Sequence, residues 1–149
     1  MEILIRSESE NGADVEAIRS AAAFALRAEL GERATGCELS ILLVGPERIR
    51  QLNKQYRGDD RETDVLAFPQ SEGGEPEQML GDIVICPAVA ARQAEQVGHP
   101  LRHELALLVV HGVLHLLGFR DDEEPLRRRM FARQEQIWQG WLSEAGEQG

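Results

Sequence analysis

LRHELALLVVHGVLHLL, residues 101–117, decides how the rest of the chain is read. Beyond its first turn this stretch is apolar on nearly every side, which marks a helix buried in the middle of a domain. Pro100 suits a helix start, and Gly118 supplies the C-terminal stop. Working outward from it, residues 3–6 (ILIR), 38–44 (ELSILLV), 63–68 (TDVLAF) and 80–86 (LGDIVIC) read as short apolar strands. Asp14 is placed to cap a helix in which Val15, Ile18, Ala22, Leu26 and Leu30 recur at helical spacing, ending at Gly31. A second helix runs from Pro46 to about Tyr56, with Ile49, Leu52 and Tyr56 on one side, and a third from Pro87 through Val97. The last, about 123–142, carries Leu126, Met130, Ile137, Trp138 and Trp141. SEGGEPEQ (71–78) reads as a mobile loop, and the tail EAGEQG is expected to fray. The order βαβαββααα predicts an α+β fold: a small mixed four-stranded sheet packed against helices, with the buried central helix carrying two histidines.

At 149 residues, with no internal repeat or long linker, residues 1–149 are expected to form a single domain. The balance of 42% hydrophobic and 28% charged residues is ordinary for a globular chain. No apolar run approaches the roughly 20 residues of a membrane span, and the acidic start lacks the apolar segment of a secretory signal. A cytoplasmic protein is the expectation. Cys37 and Cys86 lie far apart, outside any C-x-x-C spacing, and read as buried reduced thiols. The net charge of −10 argues against broad polyanion binding by the whole surface. Between residues 48 and 61, however, Arg48, Arg50, Lys54, Arg57 and Arg61 stand against Asp59 and Asp60. From charge alone that segment reads as a solvated helix face.

The chemistry sits on the central helix. His111 and His115 are four residues apart, so both imidazoles project from one face about 6 Å apart. Two nitrogens so placed can share one ion at about 2.0–2.1 Å. A single histidine on an apolar helix is usually a core residue with one hydrogen bond; two among valines and leucines would each need a partner. Gly118 lets the chain turn back across the pair, and FRDDEE (119–124) brings several carboxylates to the same place. The layout H-x-x-x-H-x-x-G-x-x-D also resembles the helix of zinc peptidases. Those enzymes need a glutamate directly after the first histidine, and here that position is Gly112.

HGVLHLLGF (111–119) resembles the YbeY family of bacterial endoribonucleases, the rRNA maturation factors, whose signature is H-G-x-L-H-L-x-G-[YF]-D-H. Two further blocks agree. LNKQYRGDDRETDVLAFP (52–69) is similar to the family's L-N-x-x-Y-R-x-x-D-x-x-T-[DN]-V-L-S-F-P, and MLGDIVIC (79–86) to its L-G-D-I-x-I strand. The three blocks lie in the family's order. The signature departs at its end, where Arg120-Asp121 stands in place of Asp-His.

The resemblance implies a metal-dependent, single-strand-preferring endoribonuclease acting in 16S rRNA 3′-end maturation and ribosome quality control. It puts the third metal ligand, after His111 and His115, on Asp121, with Asp122 competing. One zinc ion is expected; two histidines and a carboxylate also suit Fe(II) or Mn(II). The resemblance gives Arg57 a catalytic role, a guanidinium near the metal that binds phosphate oxygens. Asp64 and Asp82 are expected to orient backbone or Arg57, and no general base is assigned. The implied partners are single-stranded RNA, rRNA and the ribosome, with neither membrane nor DNA. The alternatives are a non-catalytic, metal-stabilised ribosome-assembly factor and a zinc-dependent peptidase.

Overall fold

The fold is described from a computed structural model covering residues 1–8, 13–70 and 79–146. Its elements follow the expected order: β1 (Glu2–Ser7), α1 (Val15–Leu30), β2 (Glu38–Leu43), α2 (Pro46–Arg57), β3 (Val65–Pro69), β4 (Met79–Ile85), α3 (Pro87–Val97), α4 (Leu101–Leu116) and α5 (Leu126–Glu144). A 3-10 turn over Gly31–Gly36, not foreseen from sequence, joins α1 to β2. Asp14 caps α1 as expected, its side chain accepting from Ala17 N at 3.1 Å.

The four strands lie in the order β1-β2-β4-β3. β1 with β2 and β2 with β4 are parallel, while β3 returns antiparallel to β4, so the sheet is mixed. Strand alternation divides the apolar side chains between two faces. On one face Leu39, Ile41, Leu43, Ile83 and Ile85 join the large core formed with α1, α4 and α5. On the other, Leu66 and Val84 meet Ile49 and Leu52 of α2 in a smaller cluster.

α4 is the helix that the stretch 101–117 predicts. It packs against α1, α3, α5, β3 and β4, and its residues from Leu105 to Leu116 are buried on most sides. Gly112 is where it meets the sheet: a Cβ there would lie 2.9 Å from Ile83 side-chain atoms. Cys37 and Cys86 are buried free thiols, as expected, and burial raises the pKa of both.

Three expectations need correction. β3 begins at Val65 rather than at 63 and includes Pro69. α5 begins at Leu126 rather than near 123, because the residue before Pro125 is pushed out of helical conformation. Tyr56 does not join Ile49 and Leu52; it is 59% exposed, and Asn53 takes the buried position. The segment 71–78 and the end of the tail, 147–149, lie outside the described residues.

Candidate metal centre

His111 and His115 share one face of α4, their rings 4.6 Å apart and nearly perpendicular. The two Nε2 atoms face each other at 3.1 Å. The turn at the end of α4 brings in the third group. Gly118 has φ 101°, and its N–H bonds to His115 O while Phe119 N–H bonds to Leu114 O. This is a Schellman cap, which needs a residue tolerant of positive φ just past the helix end. The reversal returns Asp121 Oδ2 to 3.3 Å from His115 Nε2 and 3.7 Å from His111 Nε2.

The three donors therefore form a triangle with edges of 3.1, 3.3 and 3.7 Å. Ligands at 2.0–2.1 Å from a tetrahedral ion stand about 3.3 Å apart, so the spacing matches one face of a zinc-sized tetrahedron. Without a shared cation or proton, the two imidazole nitrogens would direct lone pairs at each other. The group could hold a metal ion, and among the described residues it is the one such His, Cys, Asp or Glu group.

Asp122 does not converge on this point. The Arg120 guanidinium grips both its oxygens, Nε to Oδ1 at 3.1 Å and Nη2 to Oδ2 at 2.7 Å. That contact holds the Asp122 carboxyl below its usual pKa. Arg120-Asp121, the two residues that depart from the signature, thus act together: one draws Asp122 away and the other faces the histidines.

His111 is anchored from its far side. Its Nδ1–H donates to Gln134 Oε1 on α5 at 2.6 Å, which leaves the Nε2 lone pair directed toward His115 and Asp121. Burial pushes the His111 pKa below its ordinary value. His115 pushes the same way, against Gln134 and the Asp121 and Asp64 carboxylates. A neutral imidazole is the form that binds metal. Gln134 was not foreseen from sequence, although a signal exists: it lies on the helical stripe that includes Met130, Ile137 and Trp141, where a polar residue is out of place.

Arg57 ends α2 and lines the same cleft as the triad. This cleft, about 420 Å³, is walled by Tyr56, Arg57 and the β3 residues Val65 to Phe68 opposite His111, His115 and Asp121. Arg57 also borders a neighbouring cleft that includes Asn53, Asp59 and Asp64. Asp64 and Asp82, expected to orient backbone or Arg57, form no ion pair with Arg57 among the described residues, and Asp64 shares the neighbouring cleft with it. The Asp64 carboxylate accepts from the Thr63 hydroxyl at 3.4 Å, and Asp82 lies within β4. Other cations of the 48–61 segment are occupied: Arg50 and Lys54 by Asp60, Arg61 by Asp59. The cation facing the triad's cleft makes no ion pair with the described residues.

Known proteins resemble this chain over nearly its whole length. The family described as Endoribonuclease YbeY matches residues 4–141. A Salinispora tropica protein named Endoribonuclease YbeY is 43% identical, over 96% of this chain and 98% of its own length. One of the same name from Rhodococcus opacus is 42% identical, over 94% of this chain and 83% of its own. The solution structure of a Thermotoga maritima protein superposes with a TM-score of 0.60 at 29% identity, covering 99% of this chain and 96% of that one.

Proposed function

The chain belongs to the Endoribonuclease YbeY family, and from that premise we propose that it is a metal-dependent endoribonuclease cleaving single-stranded RNA. The finer reading is maturation of the 16S rRNA 3′ end and ribosome quality control in the cytoplasm, by one catalytic domain spanning residues 1–149. Among the described residues no helix is long and apolar enough to cross a membrane.

In this reading His111, His115 and Asp121 hold one divalent ion, zinc first and Fe(II) or Mn(II) next by donor set. The ion supplies Lewis acidity toward a phosphoryl oxygen. The protein's own groups do the rest. Gln134 keeps His111 in the metal-binding tautomer, and Arg57 binds a phosphate oxygen and balances its growing negative charge. β3 forms the opposite wall of the cleft. The observation that carries the proposal is the shared cleft: an arginine without an ion pair and the three convergent donors line one cavity.

The two alternatives fare less well. A sealed structural ion takes four protein ligands, whereas three convergent donors at an open cleft leave a coordination position free. A peptidase of the H-E-x-x-H kind would need a glutamate at 112, where even a methyl group meets Ile83 and the direction is into the core.

The test joins metal analysis to cleavage of single-stranded RNA. Arg57→Ala is expected to keep the metal and lose cleavage. His111→Ala and Asp121→Ala are expected to lose both, and Asp122→Ala neither. Metal lost from Asp122→Ala but kept by Asp121→Ala would refute the ligand assignment. Parental cleavage by Arg57→Ala would refute the role of Arg57.

A further inference from the structure

Two exposed aromatic rings flank the triad, and the proposed metal and phosphate chemistry uses neither. Among the described residues, Tyr56 and Phe131 are the aromatics in the set of exposed large apolar side chains, at 59% and 40%. Tyr56 stands at the cleft's α2 side, packed edge-to-face with Phe68 with ring centres 4.9 Å apart. Phe131 stands on the α5 side, its ring 6.0 Å from that of His111 and tilted by 31°. Each ring has an arginine near it, along the helix or across its face, that no described carboxylate neutralises. Arg57 follows Tyr56 in sequence, and Arg127 lies over the Phe131 ring at 5.6 Å from its centre. Of the other α5 cations, Arg128 pairs with Glu124 and Arg133 with Glu29.

An aromatic ring left in water costs free energy unless a partner covers it. A ring and a free guanidinium, repeated on both sides of a candidate metal centre, match the repeat of a nucleic-acid strand: flat base, then phosphate. We propose that Tyr56 and Phe131 are stacking platforms for the unpaired bases on either side of the phosphate laid over the triad, and that they select single strands over duplex. The inference rests on the nuclease reading and adds the residues that discriminate the substrate. Paired bases keep both faces inside their own stack and offer none to an isolated ring. The Arg127 guanidinium makes a cation–π contact with the Phe131 ring, 5.6 Å from its centre. An arriving base takes that position and turns Arg127 toward the adjoining phosphate.

The probe is a short single-stranded RNA carrying 2-aminopurine, whose fluorescence falls when it stacks on an aromatic ring. It is titrated onto the metal-free protein beside the same strand annealed to its complement, and both are then assayed for cleavage by metal-loaded protein. The parent is expected to quench the single strand and not the duplex. Phe131→Leu and Tyr56→Leu are each expected to weaken single-strand binding about tenfold and lower the preference for single strands in cleavage, with metal content unchanged. Phe131→Trp should restore both. No quench by the parent, or leucine variants that bind and quench as the parent does, would overturn the proposal. A parent that quenches without cleaving would instead sink the nuclease reading while supporting the stacking role.

Discussion

Gln134 acts on the candidate metal centre through a nitrogen that faces away from it. With its carbonyl oxygen 2.6 Å from His111 Nδ1, it sets the tautomer and the ring angle together. Loss of such an outer partner typically weakens metal binding about 10–100-fold. Gln134→Ala should show that loss by competition with a chromogenic chelator, while Gln134→Glu, which retains an acceptor oxygen, should bind at least as well as the parent. A variant Gln134→Ala with parental affinity would show that packing alone orients His111. The same imidazole sets a pH dependence. Its pKa in the fold lies below the ordinary 6.5, chiefly through burial, so the unfolded chain takes up the proton first as pH falls. The contribution to stability is therefore complete above about 6.5 and is lost as pH drops through the lowered value. Urea midpoints of the metal-free protein should fall across that window, and Gln134→Ala, which removes an opposing influence, should move the loss to lower pH. The histidine pair was legible because i, i+4 spacing on an apolar helix needs only local geometry. The choice of Asp121 over Asp122 came from the resemblance and not from local spacing, since one turn carries both and it is the Arg120 fork that holds Asp122 away.

At the scale of elements, the site is the product of one helix and the turn that ends it. α4 lies close enough to β4 for its histidines to face β3 because Gly112 presents no side chain to Ile83. Alanine there would gain about 1 kcal/mol of helix propensity against an overpacking cost of about 1–3 kcal/mol. All three nearest atoms belong to one core isoleucine with 0% exposure, so overpacking should prevail. Gly112→Ala is expected to lower the thermal midpoint, and Gly112→Ala with Ile83→Val to recover part of it; an unchanged midpoint would mean that α4 shifts freely. Gly118 is the complementary case. A Cβ there meets nothing within 4 Å, so the objection to alanine is φ of 101° alone. Gly118→Ala should therefore cost about 1–2 kcal/mol and, by moving Asp121, also lower metal affinity without altering any donor. Retained affinity would detach the Schellman turn from the site. The strands and α4 were readable because their apolar runs are long relative to their breaks. The start of α5 was misplaced because the acidic run 121–124 looks like a helix N-terminus, and its partner contacts to α4 cannot be seen in a periodicity.

Over the whole molecule, charge and site pull in opposite directions. The chain carries a net −10, and several of its exposed arginines and its one lysine, Lys54, are already bound to carboxylates. A polyanion therefore gains little from the paired part of the surface, and beside the triad it meets two arginines that no described carboxylate pairs, Arg57 and Arg127. Sequence could supply the overall balance and the basic tilt of 48–61, but not which cations are free, because pairing such as Arg92 with Glu62 joins residues far apart in the chain. The consequence is measurable as counterion release. Each phosphate contact to a single strand contributes a slope of about −0.7 to the logarithm of affinity against the logarithm of salt, so two contacts give roughly −1.4. Titrations of metal-free protein with single-stranded RNA across a range of KCl should yield that shallow line. Arg57→Ala and Arg127→Ala should each flatten it by about 0.7, whereas Arg61→Ala, whose guanidinium is held by Asp59, should leave it unchanged. A slope several times steeper would mean that a broad basic surface binds the strand, and the two-arginine path across the cleft would have to be abandoned.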